Sequence, residues 1–285
     1  MKTKSSRFKQ RPRAFRAMTG LSIEKYTELY NELLPLYEKS ELKRLSNSKR
    51  QRKIGGGRKK ELLLEDQLMM LLMYYRLYIS QDFLGIIFNM HNCNVSRQIN
   101  YLQPLLSQIF KIPTKKVSLS EAKLTENEII EFFVDATEQQ IERPKKGQNR
   151  YYSGKKKTHT LKNQIITDKK GKILAVTKSL PCKKHDKKLF DESKILFPEN
   201  SDLTCDLGYY GANGVTLPNK KPKGKKLTEE EKRYNRELSK RRITVEHSIG
   251  KMKIYQILSQ RFRNQRHKHS LIFKNIVGLH NLMVA

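Results

Sequence analysis

The apolar spacing of this chain changes period near Pro113, and that change divides what it can fold into. Upstream, apolar residues recur every three or four positions, the pattern of helices that bury one face. Downstream, Ile129 to Val134 is a β-prone apolar run broken only by Glu131, as a central strand requires. Thr158 to Thr167 and Lys172 to Leu180 read as two further strands joined by a hairpin turn, Asp168-Lys169-Lys170-Gly171, which makes Asp168 a turn former. Asp186 to Phe197 has helical spacing, Asp202 to Asp206 reads as a short strand, and Glu229 to Leu258 reads as a long terminal helix. The expected fold is therefore α/β with mixed strand directions, preceded by an all-α domain. The expected domains are residues 1–120 and 121–285.

Within the helical half, Ile23 to Leu45 forms one amphipathic helix bent near Pro35, and Leu62 to Tyr78 forms a strongly apolar one. Ser80 then caps a helix over Asp82 to Phe88, and after the turn Asn89 to Asn92, Asn94 caps a third over Val95 to Leu106. That third helix opens with Ser96, Arg97, Gln98 and Asn100, side chains that reach base edges and phosphates. The arrangement is a helix-turn-helix pattern, which a plain three-helix bundle would share. Residues 1 to about 18 are basic and nearly free of acid, fitting either an arm along phosphates or a solvated tail. Lys49 to Lys60 places Arg58 and Lys59 after three glycines, a linker or a loop that tracks DNA.

The charge balance names the partner. Lys and Arg number 59 against 28 Asp and Glu, a formal net charge of +31, which fits an electrostatic footprint for nucleic acid. No signal peptide and no uncharged apolar span of about 18 residues offers a membrane alternative. Cys93, Cys182 and Cys205 make neither a disulfide framework nor a paired zinc site, so reduced thiols and a cytoplasmic location are expected.

In so basic a chain, acids gathered in one place are expected to hold divalent cations against a polyanion. Asp135 follows the Phe132-Phe133-Val134 run, Asp206 follows Leu203-Thr204-Cys205, and both are expected at strand ends. Glu246 lies on the long helix, so folding must bring together acids 71 and 40 residues apart. Hard carboxylate oxygens on different elements suit two Mg²⁺ ions, with Mn²⁺ as a substitute. Around the helix, Glu246 lies about 40° and Lys253 about 20° from Arg242, a polar stripe beside the packing face. There Arg242 and Lys253 can grip phosphate, although Arg242 and Glu246 also satisfy an ordinary i,i+4 ion pair.

Lesser candidates carry blander readings beside their functional ones. His159 and His185 fit structural hydrogen bonding as well as phosphate contact, and His267-Lys268-His269 is weak as a metal site. Glu138 is a candidate supporter of Asp135. Tyr209 and Tyr210 suggest a covalent tyrosine nucleophile, but sheet packing explains them more simply. Asn219 to Lys226 is a basic loop that either touches DNA near the cut or is merely solvated.

Several segments in order resemble bacterial insertion-sequence transposases of the DDE superfamily, nearest to the insertion-sequence family numbered five. They are Ile54 to Lys60 with Leu64 to Leu68, Asn94 to Arg97, Val134 to Glu138, Tyr151 to Thr160, and Arg242-x3-Glu246-x6-Lys253. The resemblance implies an RNase H-like catalytic domain behind a helix-turn-helix region. It also implies a metal-binding triad of Asp135, Asp206 and Glu246, with Lys253 as the basic residue of a Tyr-Arg-Glu-Lys signature. Ser239 stands where that signature has tyrosine. The implied activity is binding of double-stranded DNA at terminal inverted repeats, metal-dependent cleavage and strand transfer into target DNA, by a homodimer on paired ends. The rival readings are a non-enzymatic regulator derived from a transposase and an endonuclease that cuts without joining.

Overall fold

A computed structural model of the chain describes residues 4–46, 53–54, 60, 62–115, 117, 130–198 and 200–284. Two compact units emerge: Met1–Lys111 with Ile254–Ile257, and Ile112–Lys253 with Leu258–Ala285.

Among the described residues, the regular elements of the first unit are all helices: α1 (Lys4–Lys9), α2 (Pro12–Thr19), α3 (Ile23–Leu45), α4 (Leu64–Leu77), α5 (Gln81–Phe88) and α6 (Asn92–Phe110). The amino-terminal segment from Lys4 is neither an extended arm nor a solvated tail. The backbone N–H groups of Lys4 and Ser5 donate to the buried Asp66 carboxylate at 3.2 and 2.7 Å, and Phe15 is fully buried against Tyr26. Asp66 thus supplies the acceptor that the first turn of a helix lacks within itself. Helix α4 is buried on all sides, as its unbroken apolar run requires.

Ser80 caps α5 as expected, its Oγ accepting from Phe83 N–H at 3.1 Å. The cap of α6 differs: His91 takes that place, its Nδ1 accepting from Cys93 N–H, and Asn94 sits inside the first turn, its Oδ1 accepting from Arg97. Between the two helices the chain turns so sharply that a Cβ on Gly85 would lie 2.5 Å from the Met90 carbonyl oxygen. Only glycine fits there. Arg58 and Lys59 lie outside the described residues.

The second unit is a mixed sheet with helices on both faces. Its strands are β1 (Ile130–Gln140), β2 (Tyr152–Ser153), β3 (Thr158–Thr167), β4 (Ile173–Val176), β5 (Leu180–Pro181), β6 (Ser201–Thr204) and β7 (Val215–Thr216). Its helices are α7 (Gln148–Tyr151), α8 (Asp186–Ser193), α9 (Glu229–Lys253), α10 (Gln256–Ser259, shared with the first unit) and α11 (His269–Val284). Strand order is β2-β3-β1-β6-β7, with β4 and β5 also edging β3. β1 runs antiparallel to β3 and parallel to β6, and β6 runs parallel to β7, the mixed sheet expected of an RNase H-like domain.

Phe132, Val134, Ile166 and Leu203 bury one face with Ile195 and Tyr209. α9 packs across β1 and β3, and α11 packs against α9 and β4.

Several boundaries differ from the sequence expectations. β1 runs through Asp135 to Gln140 because its antiparallel pairing with β3 outlasts its apolar run. The strand expected over Lys172 to Leu180 divides because Thr177 Oγ1, rather than a backbone carbonyl, accepts from Gln164 N–H. α8 stops at Ser193, and Leu196 instead exchanges backbone hydrogen bonds with Lys115 and Val117. The last helix expected, to Leu258, ends at Lys253, and α11 was not anticipated. Asp168 is the turn former expected, its Oδ1 accepting from Lys170 and Lys172 N–H. Among the described residues, no helix is long and apolar enough to cross a membrane.

Candidate active site

Parallel pairing brings two of the acids side by side. Phe133 of β1 pairs with Thr204 of β6. Two residues further, on the same face by alternation, come Asp135 and Asp206. β6 ends here while β1 continues against β3, so the acids lie at the carboxyl end of a parallel pair, where open sheets form ligand crevices. Asp135 is therefore in mid-strand, correcting its expected place at a strand end, whereas Asp206 does follow one.

Burial raises the Asp135 carboxyl to about 6; the Ala136 N–H, 2.7 Å from Oδ1, and the Arg242 guanidinium oppose that rise, while the charges of Asp206 and Glu246 add to it. Asp135 thus lies within electrostatic reach of all three. Asp206 Oδ1 accepts from Gly208 N–H at 2.9 Å and opens a tight turn over Leu207–Tyr209.

Helix α9 supplies the rest. Arg241 pins it to the sheet through an ion pair with Glu131 and a 3.4 Å contact with Asp202, two acids paired across β1 and β6. Arg242 beside it is only 13% exposed and reaches Glu246 at 3.7 Å. The i,i+4 pair therefore exists, and the Arg242 guanidinium also lowers the Asp135 carboxyl. Its Nε is buried without a hydrogen-bond partner among the described residues.

Lys253 lies on the same stripe. Desolvation of its ammonium and the nearby Lys156 hold its pKa below the usual lysine range, with Asp135 pulling the other way. Ser239 is exposed on α9, one turn before Arg242.

The donor chemistry of Asp135, Asp206 and Glu246 fits a hard divalent cation, and a cation beside Asp135 would offset the burial that raises its carboxyl. Among the described residues, no three His, Cys, Asp or Glu side chains are gathered closely enough to hold one as they stand.

Other residues fall outside this cluster. Glu138 contacts Lys162 at 3.4 Å and accepts from Thr160, on the face opposite Asp135 by alternation. Sequence reasoning missed its partner: buried Lys162 also binds Asp186 at 2.9 Å. Asp186 in turn crowds Gly208, where a Cβ would meet Asp206 Oδ1 at 2.9 Å and Asp186 Oδ2 at 3.0 Å. A lysine amid a run of buried strand positions was the available signal.

His159 packs edge-on to Tyr152, and His185 precedes α8 as its N-cap residue. His269 is buried between Ser179 and Gln139, desolvated to a pKa of about 4. Burial first, and then Asp206, pushes the Cys205 thiol up to about 12, leaving it unsuited to nucleophilic work. Tyr209 is fully buried, as packing demands, but Tyr210 is 63% exposed. In the first unit, α6 buries Val95 and Ile99 and presents exposed Arg97 between half-buried Ser96 and Gln98.

Two families match this chain: one described as DDE superfamily endonuclease over residues 134–281, and one described as helix-turn-helix of DDE superfamily endonuclease over residues 60–112. A probable transposase for insertion sequence element IS702 from Microchaete diplosiphon is 36% identical over 218 residues, covering 74% of this chain and 78% of that protein. No solved structure matches.

Proposed function

The chain belongs to the DDE superfamily of endonucleases, among its insertion-sequence transposases, and on that footing we propose a division of labour and a chemistry. Residues 1–120 bind the terminal inverted repeats of the element, with Ser96, Arg97 and Gln98 of α6 and the side chains of Arg58 and Lys59 meeting the duplex. Residues 121–285 cut the DNA and then join it to target DNA. The chain acts as a homodimer on paired ends in the bacterial cytoplasm.

The observation that carries this reading is the parallel β1–β6 register, with Asp135 and Asp206 on one face and Arg242 and Glu246 within electrostatic reach. Asp135, Asp206 and Glu246 are the residues that would hold two Mg²⁺ ions, which when bound supply Lewis-acid activation of the attacking oxygen and offset phosphate charge. Arg242 sets its positive charge beside Asp135 and Glu246, and Lys253 adds a second cation for the phosphate. The attacking water oxygen bonds to phosphorus as the P–O3′ bond breaks, a proton passing from the water to the leaving 3′ oxygen, and the freed 3′-OH then attacks a target phosphorus as a target P–O3′ bond breaks and releases its own 3′-OH. Supercoiled plasmid bearing the element's ends tests the metal requirement. The full-length chain should nick it with Mg²⁺ or Mn²⁺, lose activity in excess EDTA, and regain it when metal is restored. Undiminished nicking by metal-stripped protein in EDTA would overturn the metal-dependent chemistry.

A further inference from the structure

A lysine ammonium buried in a sheet needs anions close by to offset the hydration it loses. Lys162 of β3 is 7% exposed and has two of them, Asp186 Oδ1 at 2.9 Å and Glu138 Oε1 at 3.4 Å. It also donates to the Lys184 carbonyl oxygen at 3.2 Å. Burial works to discharge it, but Asp186 first and then Glu138 raise its pKa above the usual lysine value. A buried ion pair adds little net stability over apolar residues of the same volume, so stability alone does not account for this one. Its position shows what it holds. Asp186, in the first turn of α8, sets its other carboxylate oxygen beside Gly208, where a Cβ would lie 3.0 Å from Asp186 Oδ2 and 2.9 Å from Asp206 Oδ1. Gly208 is thereby seated between two carboxylates, and its N–H is the donor to Asp206 Oδ1.

We propose that Lys162 and Asp186 are positioning residues for Asp206. Lys162 neutralises Asp186 and fixes it against Gly208, so that the Gly208 N–H holds Asp206 Oδ1 in place and leaves the other oxygen to ligate a divalent cation. Without the ammonium, the like charges of Asp186 and Asp206 would repel each other across the glycine and loosen the turn. The inference rests on the reading of Asp135, Asp206 and Glu246 as metal ligands. Neither Lys162 nor Asp186 touches the reacting atoms. Groups that orient a ligand from behind typically account for about 10- to 100-fold in metal affinity.

Mn²⁺ titrated into the full-length chain, with the free ion followed by electron paramagnetic resonance, reads metal affinity without any cleavage. Lys162→Met and Asp186→Ala should each weaken the tightest Mn²⁺ binding by about tenfold or more. Because Lys162 acts through Asp186, the double variant should bind within about twofold of Asp186→Ala alone. Asn281→Ala, which removes two side-chain hydrogen bonds to the Ile173 backbone, should melt earlier and yet bind Mn²⁺ as the wild type does. Asp186 is only half-buried, so its variant carries the test even if Lys162→Met does not fold. Wild-type affinity in Asp186→Ala, additive losses in the double variant, or an equal loss in Asn281→Ala would overturn the proposal. A wild type that binds no Mn²⁺ would overturn the metal centre itself, and this inference with it.

Discussion

Lys253 closes α9 under opposing influences, desolvation and Lys156 weakening its charge and Asp135 sustaining it. A phosphate entering between Asp135 and Lys253 would give the ammonium an anionic partner. Lys253→Ala should therefore slow cleavage by about 10²-fold, the scale of one lost electrostatic stabiliser. Lys251→Ala, about 180° around the helix from Arg242, should leave the rate nearly unchanged. Thermal melting should show stability shifts under about 0.5 kcal/mol for both, as for exposed lysines generally. Equal cleavage rates in the two variants would remove Lys253 from the chemistry. Asp135, Asp206, Glu246 and Arg242 were legible as individual residues because charge beside apolar strands and helical phase is visible in order along the chain. The opposite fates of Tyr209 and Tyr210 were not. They depend on a turn opened by Asp206, which aims one ring into the core and the next into water. The partner of Glu138 was hidden for a similar reason: only β pairing reveals that it faces Lys162 rather than Asp135.

Among the elements, Gly85 of α5 lets the turn at Met90 pack against the helix, and α6, which carries Arg97, follows directly from that turn. A methyl on Gly85 would sit 2.5 Å from the Met90 carbonyl oxygen, backbone that cannot rotate away. Gly85→Ala should cost about 1–3 kcal/mol, the usual range for overpacking. Melting of the full-length chain should show that loss, and binding of the element's ends should weaken with it. A variant that melts and binds like the wild type would mean the turn does not position α6. Helices with a clear apolar stripe, such as α3, were readable from spacing, and so were β3 and its hairpin. The basic amino-terminal segment was not, because its order comes from Asp66, more than fifty residues away in sequence, accepting its first N–H groups. α11 was overlooked although Ile272, Phe273, Ile276 and Val277 show helical spacing. The basic run before it drew attention instead to His267 and His269 as ligands, and burial of His269 between Ser179 and Gln139 excludes that use for it.

For the whole molecule, a net charge of +31 predisposes it to nucleic acid of any sequence. Affinity alone therefore says little about the acids, and chemistry must be separated from binding. Carboxylates have to be ionised to ligate a metal, so amide replacements remove ligation with little change of shape. Asp135→Asn, Asp206→Asn and Glu246→Gln, each in the full-length chain, should be compared with the wild type for nicking of plasmid DNA in Mg²⁺ and for binding of the same DNA. The account predicts that each variant binds within about threefold of the wild type and cuts at least about 10³-fold more slowly, as expected when a group central to the chemistry is lost. Wild-type cutting by any one of them would contradict the account and remove that residue from the centre.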